Sequence, residues 1–365
     1  MGLDLDPDLD LDSLGWNDSF QRELDALAAA SRPLALRPAR IGAELRGRWA
    51  QLSLSTGAID WLTAVGAIRR APRIERPAVG DWVAIDGERR IRHVLARRTQ
   101  LVRQAAGERT EAQIVAANVD RVFVVTSANQ DFNPRRIERY AAAIHGGGAT
   151  PAIVLNKIDL CADPARYLRE LEHAAPGVEV LLASATAGDG VAELGARVTR
   201  GVTAALVGSS GVGKSTLLNA LIGGARQATG GVRADDDRGR HTTTHREIFA
   251  IPSGGLLCDT PGMRELKLWA DDDASSALAA TFGEVDELAA ACRFGDCAHE
   301  GEPGCEVAAA LDDGRLDAAR LDSWRKLARE QAWQARRMDS AAARQERARV
   351  KRLTRDHWQR TRRSF

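Results

Sequence analysis

Between residues 35 and 102, apolar and polar side chains alternate in short runs at 48–54, 59–65, 80–85 and 91–95. Period-two runs broken by Gly, Asp and Pro at short spacing predict a small all-β unit. Its size suits a five-stranded barrel of the oligonucleotide-binding (OB) type. The polar, glycine-containing stretch 104–113 is expected to act as a linker. Beyond it the texture changes. Apolar runs at 119–126, 151–155, 178–183 and 202–207 alternate with helical stretches, the clearest an amphipathic one at 134–145. Strands apolar on both faces and separated by helices predict a parallel sheet with a ligand at the strand carboxyl ends. From residue 282 the pattern turns helical and alanine-rich, interrupted by a Cys/His cluster at 292–305. These changes predict an extension over 1–35, a barrel over 36–110, an α/β domain over 111–282, a helical domain over 283–335 and a basic helix or tail over 336–365.

Composition adds exclusions. The 365 residues are 44% hydrophobic and 28% charged, the balance of a soluble multidomain chain. No apolar run approaches the roughly 18 residues that span a bilayer, and the N-terminus lacks a basic-then-apolar leader. The expectation is therefore a protein with no membrane partner. Five cysteines, an odd and small number, argue against a disulfide framework and for a reducing, cytoplasmic setting. The net charge of +1 conceals a separation. Residues 1–25 hold eight acids and one base, whereas 320–365 hold fifteen bases and five acids, leaving the domains between nearly balanced. The acidic head is expected to be disordered. The basic tail, with Arg336, Arg337, Arg344, Arg347, Arg349, Lys351, Arg352 and Arg355 recurring along a helix, is expected to bind RNA phosphates.

The chemistry concentrates at the ends of the predicted strands. Gly208-Ser209-Ser210-Gly211-Val212-Gly213-Lys214-Ser215-Thr216 follows one strand and opens a helix. Glycines let successive N–H groups and the helix N-terminus surround a phosphate, while the lysine reaches the β- and γ-phosphates and Ser215 ligates Mg²⁺. Leu256-Leu257-Cys258 runs into Asp259-Thr260-Pro261-Gly262, where the carboxylate suits Mg²⁺ held through water and the glycine N–H suits the γ-phosphate. Between them lies Arg238-Gly239-Arg240-His241-Thr242-Thr243-Thr244-His245, the composition of a loop ordered by nucleotide. One of its three threonines completes the metal shell, and Thr243 is favoured. Further upstream, Asn156-Lys157-Ile158-Asp159 and Ser184-Ala185-Thr186 each follow an apolar run. The Asp159 carboxylate matches the N1–H and N2–H₂ donors of guanine, the Lys157 stem covers the base, and the Ala185 N–H donates to O6. Adenine would leave the carboxylate unpaired.

The order is inverted. Base-recognition motifs precede the phosphate motifs, which one sheet accommodates if the domain is circularly permuted. In this order, together with the Gly80-Asp81-Trp82-Val83 barrel segment, the threonine loop and the cysteine cluster, the sequence over 36–330 resembles the circularly permuted, small-subunit-dependent ribosome-biogenesis GTPases of bacteria. That resemblance implies an N-terminal OB-type barrel, a permuted α/β P-loop GTPase domain and a C-terminal helical zinc domain. It also implies a monomeric GTP phosphohydrolase, slow alone, that binds GTP and GDP, acts on the small (30S) ribosomal subunit and its rRNA, and checks late maturation. Nothing is carried over to the extension 1–33 or the basic tail.

Two further sites follow. Met263 stands where many GTPases place a water-orienting glutamine, so another group must supply that function. His241 is the local candidate, with His245 second, and the resemblance also points to His241. Cys292, Cys297, His299 and Cys305 form a Cys₃His set suited to one structural Zn²⁺, a reading the resemblance strengthens. Cys258 and Cys161 are expected to be packing residues. Two alternatives stay open: an RNA-binding assembly factor that senses GTP with little catalysis, and a P-loop ATPase.

Overall fold

The computed structural model describes residues 10–31, 33–45, 47–53, 60–104, 112–129, 132–223, 246–259 and 274–333. The chain divides into two compact units, Met1–Lys267 and Leu268–Phe365.

The first unit begins with α1 (Asp18–Ala30), followed by β1 (Arg37–Leu45), β2 (Arg48–Gln51), β3 (Trp61–Ala64), the short α2 (Gly66–Arg70), β4 (Trp82–Ile85) and β5 (Arg90–Val94). The strands lie in the order β1-β2-β3-β5-β4, and β4 pairs back onto β1 from Arg37↔Ile85 to Arg40↔Trp82, which closes a five-stranded barrel. Every pairing is antiparallel except β3 with β5. Inward residues Ala39, Ile41, Trp49, Leu62, Val83, Ile85 and Ile91 form its core, the alternation that the sequence displays. The Gly80-Asp81-Trp82 segment is structural. A Cβ at Gly80 would lie 2.0 Å from the Ala117 carbonyl oxygen. Asp81 is buried between the Ala78 N–H (2.7 Å) and the Arg97 guanidinium (2.8 Å).

The expectation of a disordered head fails for residues 10–31. Asn17 caps α1 by accepting from the N–H groups of Ser19 and Phe20. Leu14, Phe20 and Leu24 are buried, and Trp16 meets Trp82 edge-on at 4.7 Å between ring centroids. These apolar anchors sit among the acids, so the charge count concealed a foldable face. The buried Arg40 guanidinium reaches the carbonyls of Gly80 (3.3 Å), Asn118 (3.0 Å) and Leu14, and Arg200 pairs with Asp10 at 2.6 Å. The segment thus touches both barrel and α/β region.

The stretch expected to be a linker is flanked by paired strands: β6 (Gln100–Gln104) runs antiparallel to β7 (Ala112–Ala117), with Gln104 opposite Ala112. Then follow β8 (Arg121–Ser127), α3 (Pro134–Gly146), β9 (Thr150–Asn156), α4 (Pro164–Ala174), β10 (Val180–Ala183), α5 (Val191–Ala196), β11 (Thr203–Val207), α6 (Lys214–Ile222), β12 (Arg246–Ala250) and β13 (Leu256–Asp259). In space the order is β10-β9-β8-β11-β13-β12, with only β12 antiparallel. The strand before the phosphate loop therefore lies mid-sheet, between the base-recognition strands on one side and the Asp259 strand on the other. That arrangement accommodates the inverted motif order within one sheet.

Barrel and α/β region, expected as separate domains meeting near residue 110, share one eleven-stranded sheet. The junction is β1, whose first half pairs with β4 while Ala43 and Glu44 pair with Glu247 and Arg246 of β12. A register shift between Ile41 and Ala43 marks the change. Gly42 sits there because a Cβ would lie 2.8 Å from the Leu52 Cα.

The second unit contains α7 (Ala274–Ala290), α8 (Glu306–Asp312) and a further helix over 318–333, α9. α7 breaks at Phe282, whose φ of −129° and ψ of 37° are not helical. The buried Phe282 ring is covered by the Arg320 guanidinium at 4.2 Å, and Arg320 also pairs with Glu284 at 2.6 Å.

Candidate functional site

Four strands deliver the predicted nucleotide residues to their carboxyl ends. Thr203–Val207 is buried throughout and leads into Gly208, whose φ is +140° and whose Cβ would lie 2.2 Å from the Val125 carbonyl oxygen. Only glycine fits there. Gly213, at φ +96°, is equally constrained: a Cβ would meet the Asn156 amide nitrogen at 2.3 Å. Gly213 precedes α6, so Lys214 and Ser215 occupy the helix's first turn. Lys214 Nζ donates to the carbonyls of Gly208 (2.8 Å) and Ser209. Ser210, Gly211, Ser215 and Thr216 face solvent, whereas Val212 is buried.

Asn156, the last residue of β9, is 1% exposed and holds the two halves of the site together. Its Nδ2 donates to the Val212 carbonyl at 2.8 Å and its Oδ1 accepts from the Ala185 N–H at 3.1 Å. Lys157 adopts φ +64°, ψ +36°, which turns its stem toward the phosphate loop, where Nζ donates to the Gly211 carbonyl at 2.7 Å. Ile158 and Asp159 lie in the single 3₁₀ turn that follows. Asp159 Oδ1 accepts from the buried Ser184 hydroxyl at 2.5 Å, and Ser184 in turn accepts from the Ala187 N–H at 3.2 Å. The carboxylate is thereby held in one orientation. One connected network joins Asp159, Ser184, Ala185, Asn156 and the phosphate loop.

Asp259 ends β13, which pairs with β11 on the side away from β8 and β9, at the same carboxyl edge as the loop. Its neighbour Cys258 is buried, and burial pushes the thiol up to about 12, which suits a packing role. His241, Thr243 and Gly262 lie outside the described residues, as does the tail from 334. One contact at the site escaped sequence reasoning: Arg136, in the first turn of α3, donates to the Ser209 hydroxyl. No motif marks it. Its only signal is the position of a helix start after the strand beside the phosphate loop.

In the second unit, Cys292, Cys297, His299 and Cys305 bring their ligand atoms within 4.8 Å of one another. Cys292 Sγ lies 3.5 Å and Cys305 Sγ 3.7 Å from His299 Nδ1, and the two sulfurs are 4.0 Å apart. A tetrahedron with zinc-type bonds of about 2.3 Å to sulfur and about 2.0 Å to nitrogen has edges of about 3.5–3.8 Å. The donor set fits such an ion. Burial, with the adjoining Cys305 and Cys292 thiols, pushes Cys297 up to about 12, a cost a bound cation removes. His299 is held at φ +60°, its carbonyl accepting from Arg325.

The barrel corrects the expectation of balanced charge between the ends. From Arg37 to Gln104 there are fourteen arginines and six acids. Arg48, Arg69, Arg70, Arg73, Arg89 and Arg98 are exposed, and the Arg48 guanidinium stacks 4.6 Å from the Trp61 ring centroid across β2 and β3. The acids that offset this surplus lie elsewhere in the chain.

Comparison with known proteins gives a consistent answer. Residues 94–269 match the RsgA GTPase family. The "small ribosomal subunit biogenesis GTPase RsgA" of Opitutus terrae is 46% identical over 363 residues, covering 94% of this chain and 95% of that one. Among solved structures, YjeQ from Thermotoga maritima superimposes with a TM-score of 0.58 at 25% identity, over 82% of this chain and 99% of its own. YloQ, described as a circularly permuted GTPase, does so with a TM-score of 0.57 at 25% identity, over 82% and 96%.

Proposed function

The chain belongs to the RsgA family of small ribosomal subunit biogenesis GTPases, and on that premise we propose that it binds the small ribosomal subunit through rRNA and hydrolyses GTP when bound. The observation that carries the nucleotide half of this reading is the Asn156 tie. A permuted order of motifs still assembles one site, with the Asp159 carboxylate aimed at a base and the Gly208–Ser215 loop at phosphates. Mg²⁺ in that site supplies charge neutralisation on the β- and γ-phosphates. Ser215 at the start of α6, Asp259 at the end of β13 and Thr243 are the residues assigned to hold it. His241 is assigned to orient the attacking water, since Met263 has no group for that task.

For the partner, the support is electrostatic. The arginine-rich barrel offers stacking and charge on the β2–β3 side, the face that OB barrels commonly use for oligonucleotides, and the tail adds a second basic segment. Structural Zn²⁺ held by Cys292, Cys297, His299 and Cys305 fits the closed donor set. All five cysteines are free, in keeping with the cytoplasm. No helix among the described residues is long and apolar enough to cross a membrane.

The deciding measurement is phosphate release from GTP with purified small subunits, large subunits or neither. Acceleration by small subunits alone is the expected result, and it should fade steeply as salt rises. Equal rates in all three would favour a GTP-sensing factor with little subunit-triggered catalysis.

A further inference from the structure

β8 lies beside β11 in the sheet, parallel and in register from Arg121↔Ala204 to Val124↔Val207. The turn after β8 therefore brings the first turn of α3 to the phosphate loop that follows β11. Asn133 caps α3, its side chain accepting from the Arg136 N–H at 3.2 Å, and Pro134 starts the helix. That fixes the backbone of Arg136. Its side chain is half-buried, donates to the Ser209 hydroxyl and has no carboxylate partner among the described residues. The Ser209 carbonyl meanwhile accepts from Lys214 Nζ. Ser209 is thus held by two cations, one at its side chain and one at its main chain.

The position matters because of what flanks it. Gly208 at φ +140° and Gly211 at φ +81° bracket Ser209 and Ser210, so the stretch has wide backbone freedom unless something outside the loop restrains it. Lys214 must leave the loop carbonyls to reach a phosphate, whereas the Arg136 contact is made to a side chain and can persist when nucleotide binds. We propose that Arg136 is a positioning residue of the nucleotide site: through Ser209 it keeps residues 208–211 turned for phosphate, so that less ordering remains to be done on binding. Its positive charge at the loop favours the polyphosphate in the same direction. This rests on the chain acting as a GTPase.

The test compares Arg136→Ala, Arg136→Lys, Ser209→Ala and the Arg136→Ala/Ser209→Ala double variant in the full-length protein, with Arg135→Ala as the charge control. Arg135 is exposed on the same helical turn. Affinities for fluorescent GDP and a non-hydrolysable GTP analogue are measured by stopped flow, with KM and kcat for GTP and unfolding temperature without nucleotide. For Arg136→Ala, binding of both nucleotides should weaken about tenfold, chiefly through faster release, with KM rising more than kcat falls. Ser209→Ala should show a similar loss, the double variant no more than either single one, and Arg136→Lys a partial recovery. Arg135→Ala should bind as wild type does. Unchanged affinity in Arg136→Ala, additive losses in the double variant, or a lower unfolding temperature with unchanged affinity of the active fraction would overturn the proposal. If Arg136→Ala does not fold, Arg136→Lys and Ser209→Ala decide by the same criteria. Wild-type protein that binds no guanine nucleotide would instead sink the GTPase reading.

Discussion

Replacing Asn156 by alanine tests whether base recognition and phosphate binding are mechanically one site. The side chain is 1% exposed, donates to the Val212 carbonyl at 2.8 Å and accepts from the Ala185 N–H at 3.1 Å. Its removal leaves a buried carbonyl and a half-buried N–H without partners, at about 1–3 kcal/mol each. Water can reach the open nucleotide site and recover part of this, so the portion expressed in binding is about 1.4–2.7 kcal/mol, or roughly ten- to a hundredfold. Release of fluorescent GDP, followed by stopped flow, should accelerate by that factor, and the GDP-induced rise in unfolding temperature should shrink. Asn156→Asp should be worse than alanine at neutral pH, because a carboxylate oxygen would face the Val212 carbonyl where an N–H now donates. GDP retention within threefold of wild type in both variants would refute the idea that the tie couples the two halves.

Asp159→Asn should lose at least about a hundredfold in GTP affinity while improving relative binding of xanthine nucleotide, whose C2 carbonyl accepts from the new amide; competition against fluorescent GDP measures both. Arg40→Met leaves the carbonyls of Gly80, Asn118 and Leu14 without a buried cationic donor, and should lower stability by about 3–5 kcal/mol in urea titration while exposing residues 10–31 to protease. Burial pushes Arg40 down to about 10, so it remains charged and the effect should persist across neutral pH. Glu179 is held below the usual 4.5 by Arg197 and Arg121, which outweigh partial burial. Its contribution, under about 1 kcal/mol for a pair so exposed, is complete above pH 4.5 and is lost as pH falls through the lower folded value. Glu179→Gln should remove that part of the acid sensitivity in an unfolding series. Stripping metal with a strong chelator should release one Zn²⁺ per chain, measured by a zinc-responsive dye, and Cys297→Ser should release it at lower chelator concentration.

What could be foreseen depended on whether a residue's role is local. Gly208, Gly213 and Lys214 act on the backbone that contains them, so their spacing carries the meaning wherever the strand leads. Asp159 and Ser184 follow separate apolar strands, and both ends were legible, though not the hydrogen bond between them. Arg136 shows the opposite case: nothing in the adjacent sequence distinguishes it from Arg135, and only the neighbouring of β8 and β11 brings it to Ser209. The N-terminal segment failed for a related reason. Counting its acids described a solvated surface, whereas Trp16 and Phe20 dock on Trp82, a residue more than sixty positions away along the chain.

The order of residues alone specifies the chemistry on offer: a phosphate loop, a carboxylate with the acceptor pattern for guanine, a Cys₃His donor set, and the period-two and strand–helix textures of a barrel and a parallel sheet. The tertiary structure alone decided how those pieces meet. It placed β11 mid-sheet so that an inverted motif order closes into one site. It also made β1 pair with β4 before Gly42 and with β12 after it, and buried Arg40 under an acidic segment that charge counting had assigned to solvent. Motifs work through atoms a few bonds apart, while strand neighbours and docking surfaces are settled by burial summed over the whole chain, and no window of sequence contains that sum.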